Sequence, residues 1–338
     1  DLAIRLRLHI PSVIRYLGQD YMGDHLPRSC LLKKLKSLIT PDLYSDIDRV
    51  LHQGSPAKLN GHSSHANLME YKQYGNHTSF NKDVPRTLTT LNKEERNRFA
   101  LAFPNWLARS IPHLHITPSG LVTIPGKKDI LIFDGSFAIQ PHSQYVNKWT
   151  SKHNEPPLVF PAALTNHLRR IYNLRITYPS EEILLWDDDV SSAFRWVKLN
   201  PDIAQVFAFM VGEFLFIPTG QTFGSNTSPS NWEVLARAIM ALGVHILSHR
   251  RAELAQLRRK YSSYLKQLTI APFRPTPIVP AFLDTKNKGV LVHGRAAPTE
   301  MHMHVDDNLM TDVQPYIEDA IVASIASNFE VLGKPDPS

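Results

Sequence analysis

The spacing of apolar positions divides the chain into helical and extended stretches. Over residues 1 to about 50, apolar and basic positions alternate at roughly helical spacing, as in Ser29–Ile39 (SCLLKKLKSLI). This predicts short helices with Lys33, Lys34 and Lys36 on a solvated face. The Gly, Ser, His and Asn content of residues 54–87 sustains no period and predicts a long loop or linker. From Leu91 a helical pattern begins: Asn92 and Glu95 have capping-box spacing, and Pro104 is placed to break that helix. Residues 120–137 (GLVTIPGKKDILIFDGSF) hold two short apolar runs around Pro125-Gly126-Lys127-Lys128, which predicts a hairpin with a cationic tip suited to phosphate.

Farther on, residues 160–174 predict an amphipathic helix, and residues 182–186 (EILLW) a buried strand that runs straight into Asp187, Asp188 and Asp189. Residues 205–218 read as two apolar strands joined at Gly212-Glu213, and residues 231–268 as one or two long helices. A second apolar hairpin, MHMHVDDNLMTDV, carries acid at its turn and is followed by a helix from Tyr316. No internal repeat is visible, and the mixture is that of an α+β protein.

At 338 residues, 43% of them apolar and 20% charged, the chain has the profile of a folded protein with two or three lobes. Lys plus Arg number 37 against 31 Asp plus Glu, and the net +6 leans toward a polyanionic partner. The single cysteine, Cys30, forms no internal disulfide and reads as a small buried apolar side chain in an intracellular, soluble protein, with cytoplasm and nucleus undistinguished. Residues 203–217 are broken by Gln205, Gly212 and Glu213 and fall short of the ~20 residues of a membrane span, so no membrane association is expected. The N-terminus has no uninterrupted apolar core of a signal peptide, and a start at Asp1 is compatible with a fragment. The pairs His62/His65 and His302/His304 lack cysteine partners and read as surface histidines, not a zinc site.

The chemistry concentrates in the acids. Asp187, Asp188 and Asp189 end one apolar strand, while Asp306 and Asp307 sit at the turn of an apolar hairpin. Carboxylates gathered at strand ends repel one another and are costly to desolvate, so a counter-charge is expected, and Mg²⁺ suits hard carboxylate oxygens together with phosphate. Between the clusters, residues 218–232 (PTGQTFGSNTSPSNW) form a Gly, Ser and Pro-rich loop entering a long helix, which lets backbone approach a phosphate or base pair closely.

This order of strand acid, Gly/Pro loop and acid hairpin resembles the palm of reverse transcriptases, in particular the polymerase region of retrotransposons. The pattern of Asp followed five residues later by an aromatic is met by Asp189 and Phe194, and the pattern Phe-Gly, three residues, small, Pro, two residues, aromatic by Phe223, Gly224, Ser228, Pro229 and Trp232. Val305-Asp306-Asp307 matches the acid hairpin, with His304 where Tyr or Phe is usual. The PGKKDILIFDGS stretch resembles the fingers hairpin, with Lys127 or Lys128 as its lysine, Asp134 as the closing acid, and Ile130 where Arg is usual.

The resemblance implies a polymerase right-hand fold whose palm is an antiparallel sheet packed on helices, behind a mainly helical N-terminal region. Its divisions would be an N-terminal region of unknown role at 1–90, a fingers-like region at 91–180 and a palm-like catalytic region at 181–338. The palm region would carry an insertion at about 249–298, with no thumb expected within these residues. The implied activity is RNA-directed DNA polymerisation: a nucleotidyl transfer from deoxynucleoside triphosphates to a primer 3′-hydroxyl, on an RNA or DNA template, with Mg²⁺ or Mn²⁺. Asp189, Asp306 and Asp307 would be the catalytic metal ligands. Lys127, Lys128, Val190, Phe194, Phe223 and Gly224 would bind the deoxynucleotide, Phe194 as the sugar gate. Two alternatives stay open: a catalytically silent, nucleic-acid-binding remnant of a retroelement, and an RNA-dependent RNA polymerase.

Overall fold

The computed structural model describes residues 2–21, 28–56, 58–126, 129–150, 155–158, 161–249, 251–265, 271–273, 301–304, 307–313 and 316–332. The architecture is a mixture of helices and small antiparallel sheets. In chain order the strands are β1 (Ala100–Pro104), β2 (Ser119–Val122), β3 (Ile130–Phe133), β4 (Ile183–Asp189), β5 (Phe209–Val211), β6 (Phe214–Pro218), β7 (Ala271–Phe273), β8 (Met301–His304) and β9 (Asp307–Val313). They form a three-stranded sheet of order β1-β6-β5, the hairpin β2-β3, and a four-stranded sheet of order β7-β4-β9-β8.

The four-stranded sheet is covered on both faces. On one, Leu184, Trp186, Met301, Met303 and Met310 share a core with the helices Arg28–Leu35, Pro41–Gln53, Ser228–His249, Arg251–Lys260 and Tyr316–Leu332. On the other, Ile183 and Val313 meet Leu174 of the Pro161–Thr177 helix. That helix also supplies a polar seam: His167 Nε2 lies 3.1 Å from Thr311 Oγ1, and Arg170 pairs with Asp312 at 3.5 Å, both side chains being 2% exposed. The Ser228–His249 helix is apolar nearly all round, from Trp232 through Leu235, Ile239 and Leu242 to Ile246, as befits a helix enclosed on most sides.

The N-terminal region belongs to this core. Thr40 caps the Pro41–Gln53 helix by accepting from Leu43 N at 3.4 Å, Pro41 supplies a preset first turn, and Leu43, Ile47 and Val50 repeat at helical spacing to form its buried stripe. Lys33, Lys34 and Lys36 are exposed, and Lys34 pairs with Glu330 of the Tyr316–Leu332 helix. Cys30, expected to be buried, is exposed, because Leu31, Leu32 and Leu35 take the inward face of its helix.

The expected linker at 54–87 is largely helical. Ser64 accepts from Asn67 N at 3.1 Å to start His65–Tyr74, and the one-turn helix Thr78–Asn81 follows. Asp83 accepts from Arg86 N at 3.0 Å to start Val84–Arg96, with Pro85 in its first turn. Asn92 is therefore interior to a helix that begins nine residues earlier in the chain than its capping-box spacing implied. Pro104 breaks no helix; it closes β1, where its Cα faces that of Phe214 in β6. The three-stranded sheet thus joins chain on both sides of residue 180.

No helix among the described residues is long and apolar enough to cross a membrane.

A second core gathers Ile10, Val13, Leu101, Phe103, Ile116, Phe133, Phe207 and Leu215. His115 sits within it, edge-on to Tyr71 at 4.7 Å and to Trp149 at 4.9 Å, with Ser63 Oγ 3.4 Å from its Nδ1. Burial pushes its pKa down to about 3 from 6.5. The unfolded chain therefore takes up a proton below about pH 6.5 that the folded chain refuses. This part of the stability is intact above that pH and declines by about 1.4 kcal/mol per unit as the pH falls toward 3. His115→Gln is expected to make the urea midpoint fall less steeply between pH 6 and pH 4 than it does in the parent. An equal slope in the two proteins would show that His115 is protonated in the folded state.

Candidate functional site

The site begins where the apolar run of β4 stops. Leu184 and Trp186 are buried, while Asp187 and Asp189 are exposed at the strand end. The antiparallel register pairs Ile183 with Val313, Trp186 with Met310 and Asp189 with Asp307. One step across, Asp307 also faces His304 of β8, so three polar residues lie in a row across the sheet end. A one-residue slip of β4 would turn Trp186 away from its core, and burial of such a side chain is worth ~1.5–3 kcal/mol or more. Repulsion between like charges on opposed residues is at most of order 1 kcal/mol. The apolar register therefore prevails and holds the two aspartate positions opposite one another.

Directly after β4, Val190 is buried, and Ser192 takes a left-handed conformation (φ 59°) that starts the 3-10 turn Ala193–Trp196. The turn brings Phe194, 7% exposed, against half-buried Phe223, with ring centroids 4.8 Å apart. The two aromatics drawn from separate sequence motifs thus form one wall.

The Phe223-Gly224 loop is fastened to the strand β3. Phe133 N donates to Phe223 O at 2.8 Å, and Gly224 has φ +99° with its Cα packed on Phe133 O, where an added Cβ would approach to 1.8 Å. Asn147 acts as a clip: its Nδ2 donates to Gly224 O at 2.8 Å, its Oδ1 accepts from Asn226 N at 2.9 Å, and Thr150 Oγ1 donates to Asn226 Oδ1 at 2.6 Å. Asn147 and Thr150 escaped the sequence reading because they lie in a segment without apolar period. At the far end of the loop, Ser228 Oγ is 2.8 Å from both Gln221 Oε1 and Thr222 O, which anchors the start of the Ser228–His249 helix, and Trp232 is wholly buried behind it.

On the hairpin, β2 and β3 pair as the sequence implies, and Ile130 is exposed opposite Val122. Asp134, just past β3, lies 3.1 Å from His77 Nε2, whose Nδ1 is 3.3 Å from the Tyr74 hydroxyl. The hairpin-tip lysines, Lys127 and Lys128, and the hairpin acid Asp306 with Val305, lie outside the described residues. Among the described residues no three His, Cys, Asp or Glu side chains converge as a metal-ligand group. What the structure brings together is Asp189 with Asp307, and Phe194 with Phe223 and Gly224.

No protein-family model matches the chain. No curated protein matches it either. Among solved structures, the foamy viral protease-reverse transcriptase bound to double-stranded DNA is similar at 12% identity and a TM-score of 0.42, over 90% of this chain and 42% of that one. The same protein bound to an RNA/DNA hybrid gives 12% and 0.39, over 89% and 32%. The native Prototype Foamy Virus enzyme gives 11% and 0.38, over 94% and 31%. The chain spans less than half the length of these proteins. The likeness is distant.

The loop clamp makes a direct prediction. Gly224→Ala meets both a positive φ and the Phe133 carbonyl, whereas Gly212→Ala, at the β5-β6 turn with φ +53°, has open space around its Cβ. Gly212→Ala is expected to cost about 1 kcal/mol in urea unfolding, and Gly224→Ala at least ~2 kcal/mol more. Equal losses would mean that the loop is not held against β3.

Proposed function

We propose that the chain is the fingers and palm of a retroelement reverse transcriptase, an RNA-directed DNA polymerase that adds deoxynucleotides to a primer 3′-hydroxyl on an RNA or DNA template. The observation that carries this reading is the opposed pair Asp189 and Asp307 at the end of the four-stranded sheet, with Asp189 five residues before Phe194 in the chain. The donor set fits the cation the reaction needs: exposed carboxylate oxygens on two strands are hard ligands of the kind Mg²⁺ or Mn²⁺ takes together with water and phosphate. Asp189 and Asp307, with Asp306 beside the latter in the chain, would hold it. When bound, a divalent ion pair supplies electrostatic stabilisation of the attacking and leaving oxygens in an in-line displacement at the α-phosphorus.

The remaining roles belong to the chain itself. Phe194 and Phe223, whose rings meet at 4.8 Å, would lie against the sugar of the incoming nucleotide, with buried Val190 just before that turn in the chain. Gly224, exposed and without a side chain, lets the nucleotide approach the backbone. Lys127 and Lys128 at the hairpin tip would neutralise the triphosphate. Sequence is read by base pairing, so the protein needs only shape and backbone contacts to the duplex.

A second reading, a silent nucleic-acid-binding remnant, is favoured by one observation: Ile130 presents an exposed apolar side chain where the fingers hairpin would be expected to carry a cation. Primer extension on a homopolymer RNA template with Mg²⁺ or Mn²⁺ separates the two. The polymerase reading predicts extension by the parent and a loss of at least about a hundredfold in Asp189→Asn and in Asp306→Asn, with folding and template binding retained. Binding without extension by the parent supports the remnant, and full extension by either variant removes the metal assignment.

A further inference from the structure

One buried ion pair connects the turn that carries Phe194 to the N-terminal half. Arg195 is 4% exposed, and its Nε lies 2.9 Å from Glu94 Oε2 on the last turn of the Val84–Arg96 helix, an ionic contact without hydrogen-bond alignment. The same guanidinium donates through Nη1 to Gln221 O at 3.3 Å. Around it the backbone is close-packed: an added Cβ on Gly220 would come within 2.2 Å of Arg195 O, Gln221 N donates to Val197 O at 2.8 Å, and the Trp196 ring sits edge-on to Phe99 at 5.4 Å. Arg195 thus grips the chain immediately beside Phe194 and, through Gln221, two residues before Phe223.

We infer that the Arg195–Glu94 pair is a positioning device that sets the gap between the Phe194–Phe223 wall and the nucleotide sugar, and so selects deoxyribose over ribose. The inference rests on the polymerase reading above. Stability alone gives little reason for such a pair, since an apolar pair of similar volume commonly serves a buried position as well or better. The ion pair to Glu94 and the Nη1 bond to Gln221 O join the helix, the turn and the loop through one guanidinium. Phe194, in a four-residue turn begun by a left-handed serine, has little freedom once its neighbour is held.

The test is single-nucleotide incorporation on a primer-template, with kcat and KM measured for deoxyribo- and ribonucleoside triphosphates. Glu94→Gln is expected to lower the deoxy-to-ribo ratio of kcat/KM by about tenfold or more, chiefly through a lower KM for the ribonucleotide, with the deoxy kcat little changed. Arg195→Lys, which keeps the charge but not the fork, is expected to fall between. Should Glu94→Gln fail to fold, Glu94→Leu combined with Arg195→Met, the apolar exchange, must show the same loss of discrimination. A ratio unchanged in a folded variant, or an equal loss for both nucleotides, overturns the positioning role while leaving the polymerase reading in place. A parent protein that incorporates neither nucleotide overturns both.

Discussion

The register of β4 on β9 is the constraint on which the candidate site depends. It is set by apolar burial: Ile183 and Val313 fill one face, Trp186 and Met310 the other, and a shift by a single residue would exchange the faces. With that register held, Asp189 and Asp307 have no choice of partner across the sheet. The core thus positions two acidic residues opposite one another at the end of the sheet. Folding energy in the hydrophobic layer is in this way converted into an electrostatic feature at the strand ends.

The second constraint is the attachment of the glycine loop. Phe223 and Gly224 are bound to Phe133 of the hairpin strand, to Asn147 beyond it and, through Gln221, to Arg195. The aromatic wall is therefore built from three stretches of chain that lie far apart in sequence. Its geometry depends on the hairpin, the turn after β4 and the loop before the Ser228–His249 helix all being folded together. The N-terminal helices contribute to the same assembly, since Leu43, Ile47 and Val50 share a core with Trp232 and Ile239.

Much of this was legible in the sequence where period and turn chemistry agree. The β2-β3 and β8-β9 hairpins, the β5-β6 turn at Gly212 and the long helix after Pro229 follow from alternating or helical apolar runs bounded by Gly, Pro or charge. The strand before the aspartates was legible too, although it runs on through Asp189 because pairing with β9 continues past the last apolar residue. The helices His65–Tyr74 and Thr78–Asn81, and the start of Val84–Arg96, were not legible. His65–Tyr74 buries little beyond Leu68 and Tyr71, so its stripe is too narrow to show a period among Asn, His and Gln, and its start depends on a single serine cap. At Asp83 a cap followed by Pro85 outweighed the capping-box spacing of Asn92 and Glu95, which falls inside the finished helix. The aromatic contact of Phe194 with Phe223 and the Asn147 clip are tertiary, and no local pattern announces either.

We propose that Asp189 and Asp307, with Asp306 beside the latter in the chain, hold a divalent cation. Mn²⁺ titration by electron paramagnetic resonance tests it without requiring catalysis, on the parent chain and on Asp189→Asn and Asp307→Asn. A cation site predicts saturable Mn²⁺ binding by the parent, competed by Mg²⁺, and markedly weakened by each substitution. Equal binding by all three proteins, or none by the parent even with primer-template and nucleotide present, would contradict it.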